Sequence, residues 1–154
     1  MKEIDLQGLI MRSVRLAGGV AHKLSNRFLV GVPDLLVKLP DHPAMLIEVK
    51  LNKFSAKTFL GHYFILDVSV LQREFLLRYR RAGMLAGVYS FVEHGRGIRC
   101  LRGRLIDINH IYSPIETKTF QLVNSDLLGD SDRVRTSTIV SQLSQWAYNG
   151  ITKG

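Results

Sequence analysis

The stretch that organises this chain runs from residue 30 to residue 50 and reads VGVPDLLVK (30–38), LPDHPA (39–44) and MLIEVK (45–50). Two apolar, β-rich runs flank a connector with two prolines, an Asp and a His, which is the composition of a hairpin loop. The two runs are therefore predicted to be antiparallel neighbours. If the bend is centred between Asp41 and His42, paired positions sum to about 83, which sets Asp34 opposite Val49.

Three ionisable side chains converge in this hairpin. Successive side chains of a strand point to opposite faces, so Glu48 and Lys50 share one face while their apolar neighbours point into a core. Asp34 and Glu48 offer hard oxygen ligands, and a strand carbonyl beside them can add a third, a set that suits Mg²⁺. The alternative is a surface hairpin whose charged side chains are solvated or form an ordinary ion pair.

The elements Pro33-Asp34 and EVK at 48–50 resemble the motif of the PD-(D/E)XK nuclease superfamily. With the preceding Gly-Val pair, the stretch is most similar to virus-type replication-repair nucleases and, a step further away, to archaeal Holliday-junction resolvases. The resemblance implies Mg²⁺-dependent hydrolysis of DNA, with Mn²⁺ able to substitute. Asp34, Glu48 and the carbonyl of Val49 would hold the metal, and Lys50 would orient or help deprotonate the attacking water.

Composition favours one globular domain with a polyanionic partner. The chain has 154 residues, 46% of them hydrophobic, and its 21 Lys and Arg against 13 Asp and Glu give a net charge of +8. It has no apolar segment of spanning length and no signal-peptide pattern at its start, and the lone Cys100 suits a reducing compartment. We expect DNA rather than a membrane as the partner, and a cytoplasmic location in a bacterium or in the host of a phage.

A first helix is predicted over residues 4–17, with its apolar stripe on Leu6, Ile10, Val14 and Ala17 and a stop at the Gly pair that follows. At about 100° per residue Glu3 lies on that stripe, whereas Asp5 lies on the far side. The resemblance implies that Glu3 approaches the metal site as a further ligand. An exposed acid that favours the helix dipole is the alternative.

A second helix is predicted over residues 67–82, capped by Asp67 or Ser69 and ended by Gly83. Its apolar face is expected to hold Val68, Leu71, Phe75, Tyr79 and Ala82. The resemblance implies that Gln72 hydrogen-bonds near the metal or the DNA backbone, although a surface glutamine on a helix is common. Phosphate contacts are expected from six residues near this region or earlier in the chain: Lys23, Ser25, Arg27, Lys53, Lys57 and Arg73.

Strands are further predicted around residues 20–24 and 28–30, at 85–92 beside the Lys50 strand, and at 98–111, with a turn at 93–97. Residues 112–132 show no periodicity. A last amphipathic helix is predicted over 137–148, either closing the core or forming a dimer contact. The expected fold is α/β: a restriction-endonuclease-like core (αβββαβ, a mixed central sheet flanked by helices) over about 1–93, with a β/α extension at 94–154, in a single domain.

Three functions compete at this point. The first is a structure-selective endonuclease acting on branched or junction DNA, expected to be a homodimer or higher homo-oligomer because two strands must be cut. The second is a sequence-specific endonuclease of restriction or homing type. The third is a basic nucleic-acid-binding module with structural acids, against which the intact Asp-Glu-Lys set counts.

Overall fold

The computed structural model describes residues 2–24, 29–54, 63–65, 68–94, 101–111, 122–124 and 135–153. In chain order its elements are α1 (Glu3–Leu16), β1 (Val20–Lys23), β2 (Leu35–Lys38), β3 (Met45–Phe54), β4 (Tyr63–Ile65), α2 (Val70–Arg81), β5 (Leu85–His94), β6 (Leu101–Asp107), a 3-10 turn (Ile108–His110), β7 (Leu122–Asn124) and α3 (Thr136–Lys153).

Five strands form one mixed sheet in the order β1-β2-β3-β5-β6. All neighbours are antiparallel except β3 and β5, which run parallel and are joined through α2. A parallel pair needs a crossover of this kind, and a helix that covers one face of the sheet supplies it. The predicted α/β core, with a helix, three strands, a helix and a strand in that order, is confirmed. The short pair β4-β7 stands apart from it.

The hairpin forms as predicted, but its register is shifted by one residue. Leu35 pairs with Ile47 and Val37 with Met45, so paired numbers sum to 82 instead of 83. Extended by one position, this register sets Asp34 opposite Glu48. Residues that face each other across two antiparallel strands project to the same face, so the observed register brings the two acids onto one face, which the predicted one did not.

The first run of the hairpin is also shorter than predicted. Strand β2 begins only at Leu35, and residues 30–31 form a turn in which Gly31 has φ +91°. The predicted strand piece at 28–30 is therefore wrong for Leu29 and Val30, and Phe28 lies outside the described residues. The backbone conformation at Gly31 is one that other residues rarely adopt, and it interrupts the extended run predicted from Val30 onward.

Two apolar layers sandwich the sheet. On one face, α1 and α3 pack Leu6, Ile10, Val14, Ile139, Leu143 and Ala147 against the sheet. The other face carries a smaller cluster in which α2 contributes Leu76 and Leu77. The last helix thus closes the core of its own domain. It continues beyond residue 148, where the sequence predicted its end, and passes through Gly150, where a Cβ would collide with the side chain of Leu85.

The orientation of α2 differs from the prediction. The helix begins at Val70 with Ser69 as its N-cap, and it ends before Gly83 as expected. Its buried residues are Leu76 and Leu77. The stripe predicted to face the core is only partly there: Val68, before the helix, is buried and Phe75 packs against the cluster of Leu76 and Leu77, whereas Leu71, Tyr79 and Ala82 are exposed. On the face that covers the sheet, Arg80 also forms an ion pair with Asp107, at 3.1 Å.

The remaining predictions hold in part. Ala17 is exposed, so the buried stripe of α1 ends at Val14. Glu93 and His94 belong to β5 rather than to a turn, and residues 95–100 lie outside the described residues. The strand predicted at 98–111 is β6 followed by the 3-10 turn, and β7 lies where no element was predicted. Within the described part of the chain, no helix has the length and apolarity needed to cross a membrane.

Candidate active site

The site lies where β3 runs past the start of β2. Among the described residues, β2 pairs with β3 only up to Ile47, and beyond that point two acid side chains accept hydrogen bonds from the free edge of β3. The Oδ2 atom of Asp34 accepts a hydrogen bond from the backbone N–H of Val49 at 2.8 Å, and Oε1 of Glu3 accepts one from Leu51 N–H at 3.2 Å. Unpaired strand N–H groups need acceptors, so these contacts fix both carboxylates along one edge.

Glu48 is the buried acid of the site, with 3% of its surface exposed. Its Oε1 atom accepts a hydrogen bond from Gln72 Nε2 at 2.8 Å and lies 3.6 Å from the ammonium nitrogen of Lys50. Its Oε2 atom is buried and has no hydrogen-bond partner among the described residues. An unpaired buried carboxylate oxygen is costly, so this arrangement is incomplete without a proton or a cation.

The surroundings oppose charge on both acids. Burial, and then the charge of Asp34, raises the pKa of Glu48 to about 8, although Lys50 acts in the opposite direction. Burial also raises the pKa of Asp34, against the Val49 hydrogen bond and the charge of Lys50, which lower it. The nearby carboxylate of Glu3 adds to both increases. Burial and the proximity of the acids thus outweigh the charge of Lys50, which favours retention of a proton on Glu48.

Gln72 connects α2 to the site through a capping box at the helix start. Its Oε1 atom accepts a hydrogen bond from Ser69 N–H at 3.0 Å, while Ser69 Oγ accepts one from Gln72 N–H at 3.2 Å. Because the carbonyl end of the side-chain amide is held in this way, its NH₂ end is the one that faces Glu48. The first turn of α2 therefore sets the position of the Glu48 carboxyl group.

Gly31 allows the loop before Asp34 to pass against that same turn. A Cβ on Gly31 would lie 2.8 Å from the backbone carbonyl of Leu71 and 3.1 Å from Gln72 N. These are backbone atoms of α2 and cannot move aside without shifting the helix. A glycine at this position therefore lets the loop before Asp34 approach the helix that carries Gln72. Since Gln72 binds Glu48, this approach helps to place Asp34 close to Glu48.

The donors at this site fit a hard divalent cation. Asp34 and Glu48 supply carboxylate oxygens, and strand geometry directs the carbonyl of Val49 to the same edge as its N–H. A cation would also satisfy the unpaired Oε2 atom of Glu48. In the described parts of the chain, no three acidic, His or Cys side chains come together around one point that could hold a metal. Glu3 is thus near the two acids but not clustered with them.

The structure brings together the predicted residues Asp34, Glu48, Lys50, Gln72 and Glu3, with Val49 between them. Of the predicted phosphate contacts, Arg73 donates from Nε to the carbonyl of Ile111, and Lys23 is an exposed residue at the end of β1. Ser25, Arg27, Lys57 and the side chain of Lys53 lie outside the described residues.

Sequence reasoning missed the supporting part of the site. The role of Gly31 depends on the approach of α2, which no local pattern shows. The Ser69-x-x-Gln72 spacing of a capping box is visible in the sequence and could have indicated that the side chain of Gln72 is held at the helix start.

We predict that Gly31→Ala lowers the free energy of unfolding by more than the cost of the backbone conformation alone. Gly83→Ala is the control, because Gly83 also has a positive φ, of 101°, but a Cβ there meets nothing within 4 Å. Both changes should destabilise the protein by about 1–2 kcal/mol for the left-handed backbone, and Gly31→Ala should add a further loss because it displaces Leu71 and Gln72. Urea denaturation of both variants measures the difference, and equal losses would contradict the close contact.

We predict that Glu48→Gln stabilises the metal-free protein at pH 8. Since the pKa of Glu48 is raised to about 8 in the folded state, the folded protein holds a proton that the unfolded chain releases above its ordinary, lower pKa. Stability therefore falls as pH rises through that window. Glutamine does not titrate, so the variant does not lose this stability as pH rises. Its free energy of unfolding at pH 8 should exceed that of the wild type by on the order of 1–3 kcal/mol, the usual cost of a buried unpaired polar group.

Thermal or urea unfolding in EDTA between pH 5 and pH 9 measures this effect. The two proteins should converge near pH 5 and separate toward pH 9. A variant that is less stable than the wild type at pH 8 would show that Glu48 is satisfied as a carboxylate without any cation.

The comparisons with known proteins give a match among solved structures. No protein-family model and no curated protein matches the chain. It is similar to Hjc, a Holliday junction resolvase from the archaeal hyperthermophile Archaeoglobus fulgidus, with 16% sequence identity, a TM-score of 0.56, and coverage of 81% of this chain and 90% of the Hjc chain. It also matches a structure described as a VRR_NUC domain, with 27% identity, a TM-score of 0.42, and coverage of 58% and 82%. The likeness to Hjc concerns the fold, and the chain has a restriction-endonuclease-like fold, as the sequence predicted.

Proposed function

We propose that this protein is a metal-dependent DNA endonuclease, with Mg²⁺ as its cofactor and Mn²⁺ able to substitute. The observation that carries the proposal is the unpaired, buried Oε2 atom of Glu48, which lies in a site with the carboxylate of Asp34 and the ammonium group of Lys50. A purely structural core would gain stability by replacing such a group with an apolar one. A charged set that costs stability is typical of a site kept for chemistry.

The reaction we propose is hydrolysis of a phosphodiester. The oxygen of a water molecule attacks phosphorus, the bond to the 3′ oxygen breaks, and the products are a 5′-phosphate and a 3′-hydroxyl. Asp34, Glu48 and the Val49 carbonyl would hold Mg²⁺, which supplies positive charge against the charge that builds up on the phosphoryl oxygens.

The remaining residues position these groups. Lys50, on the same face as Glu48, orients the attacking water or helps to deprotonate it through the positive charge of its ammonium group. Gln72 holds Glu48 in a fixed rotamer through its 2.8 Å hydrogen bond, and Val49 N–H holds Asp34 through another of the same length. The site thus enters the reaction already arranged, so that little reorganisation is needed.

For the substrate we propose branched or junction DNA, cut by a homodimer because resolution of a junction needs two incisions. The fold shared with Hjc, a Holliday junction resolvase, supports this choice. A sequence-specific endonuclease built on the same core is the second candidate, and the two differ in whether cleavage follows a branch point or a base sequence. The net charge of +8 suits either DNA partner.

A cleavage assay on plasmid, linear duplex and four-way junction, each with Mg²⁺ and with EDTA, tests the proposal. We expect cleavage of the junction with Mg²⁺ and none with EDTA. Asp34→Ala, Glu48→Ala and Lys50→Ala should each abolish cleavage in a protein that is folded by circular dichroism and still binds DNA. Wild-type rates in any one of these variants would contradict the assignment, and cleavage at a base sequence in all substrates would favour the second candidate.

Glu3→Gln should lower Mg²⁺-dependent turnover by about tenfold or more, on the order of 1.4 kcal/mol in transition-state stabilisation. Glutamine keeps an oxygen for the Leu51 N–H bond, so the change removes charge from the site while leaving the contact. The control is Asp5→Asn, because Asp5 caps the same helix through Lys2 N–H at 2.8 Å and faces away from the site. Equal, small effects of the two changes would show that Glu3 has only a structural role.

A further inference from the structure

A groove lies between the outer face of α2 and the loop that precedes the site. Its volume is about 540 Å³, and it is lined in part by Leu29, Val30, Leu71, Phe75, Arg78 and Tyr79. We refer to it as the α2 groove. The exposed fractions of its apolar residues include 57% for Leu29, 77% for Val30 and 50% for Leu71. Exposed apolar residues that adjoin one another in this way are typical of a binding surface.

The α2 groove adjoins the two acids. Val30 precedes Asp34 by four residues, so their Cα atoms are at most about 14 Å apart. Gly31 lies against the backbone of Leu71, in the helix turn that binds Glu48. Successive nucleotides of a duplex are about 3.4 Å apart along its axis, so DNA held at the acids would pass the groove within about four nucleotides of the cut.

The lining of the groove suits a nucleobase better than a phosphate. The rings of Phe75 and Tyr79 stack, with centroids 5.0 Å apart and planes 19° apart, and Tyr79 is 42% exposed. Any nucleobase can stack on an aromatic side chain, whereas phosphate oxygens need hydrogen-bond donors or positive charge. The volume of the groove also lies in the range of about 300–1,000 Å³ that is usual for small-molecule sites.

Two charged side chains at the rim of the groove complement this lining. Arg78 is exposed there, so its guanidinium group can contact the phosphate of a nucleotide whose base is inside. Glu74 lies four residues earlier, about one helix turn away, and carboxylates accept hydrogen bonds from the exocyclic amino groups of bases. The rim thus offers one contact to the DNA backbone and one to the base.

We propose that the α2 groove binds an unpaired nucleobase close to the cut, so that the site selects branched DNA with a single-stranded arm. A base in a paired duplex is stacked and must be extruded before it can enter a groove, and a nucleotide that is already unpaired avoids most of this cost. The proposal rests on DNA as the substrate of the site. It narrows that substrate and names Phe75 and Tyr79 as the residues that recognise the branch.

A double-variant cycle between protein and DNA tests the proposal. The DNA is a splayed-arm duplex, either intact or with the base removed from one of the first few unpaired nucleotides of either arm. Fluorescence anisotropy in EDTA measures the dissociation constant without cleavage. For the wild type, an abasic nucleotide at one of these positions should raise the dissociation constant about tenfold or more, because a base stack is lost. Tyr79→Ser should bind the intact and the abasic DNA equally, within about twofold, because its side chain is the partner of that base.

Tyr148→Ser is the matched control, because Tyr148 is 66% exposed on α3 and does not line the groove. It should respond to removal of the base as the wild type does. Leu29→Ser alters the opposite wall of the groove and should also reduce the effect of the base, with Leu16→Ser, at a residue 72% exposed on α1, as its control. The leucine pair decides the test if Tyr79→Ser does not fold.

A wild type that is indifferent to removal of the base at every position would overturn the proposal, and so would a full effect in both Tyr79→Ser and Leu29→Ser. A groove that takes another protein chain in place of a base gives one of these results. Cleavage of DNA with Mg²⁺ is measured separately, so the failure of the base contact is distinct from the failure of the proposed function.

Discussion

The burial of the Glu48 carboxyl group is the constraint on which the rest of this structure depends. The side chain lies between the sheet and the first turn of α2, with one oxygen bound by Gln72 and the other unpaired. Burial and the neighbouring Asp34 raise its pKa to about 8, so the isolated site holds a proton where most carboxyl groups are charged. An apolar side chain would pack at this position more stably than a buried carboxyl group. We therefore infer that Glu48 is kept for a ligand that it binds.

The support for this carboxyl group comes from places that are distant in sequence. Gly31 lets the loop before Asp34 lie against the backbone of Leu71 and Gln72, and Ser69 fixes which end of the Gln72 amide faces the acid. Strand β3 contributes by extending past β2, so that its free N–H groups bind Asp34 and Glu3. One helix turn and one strand edge thus position every acid of the site.

Much of the fold and of the site could be predicted because local patterns and the motif agree. Alternation placed Ile47 and Val49 in the core, and it placed Glu48 and Lys50 on the face where they are found. The register was wrong by one residue because the length of a six-residue connector does not determine which residues form the turn. The face of α2 was predicted only in part, because apolar residues lie on more than one side of this helix and the residues that cover Leu76 and Leu77 come from strands distant in sequence.

We propose that Asp34 and Glu48 hold a divalent cation that replaces a proton. Calorimetric titration of Mn²⁺ into the protein at pH 7, in buffers of different ionisation enthalpy, tests it most directly, since the observed heat then reports the protons released on binding. We expect Mn²⁺ to bind with release of a proton, and that release to be lost in Glu48→Gln. Binding of Mn²⁺ without proton release, or unchanged binding after Asp34→Ala, would contradict it.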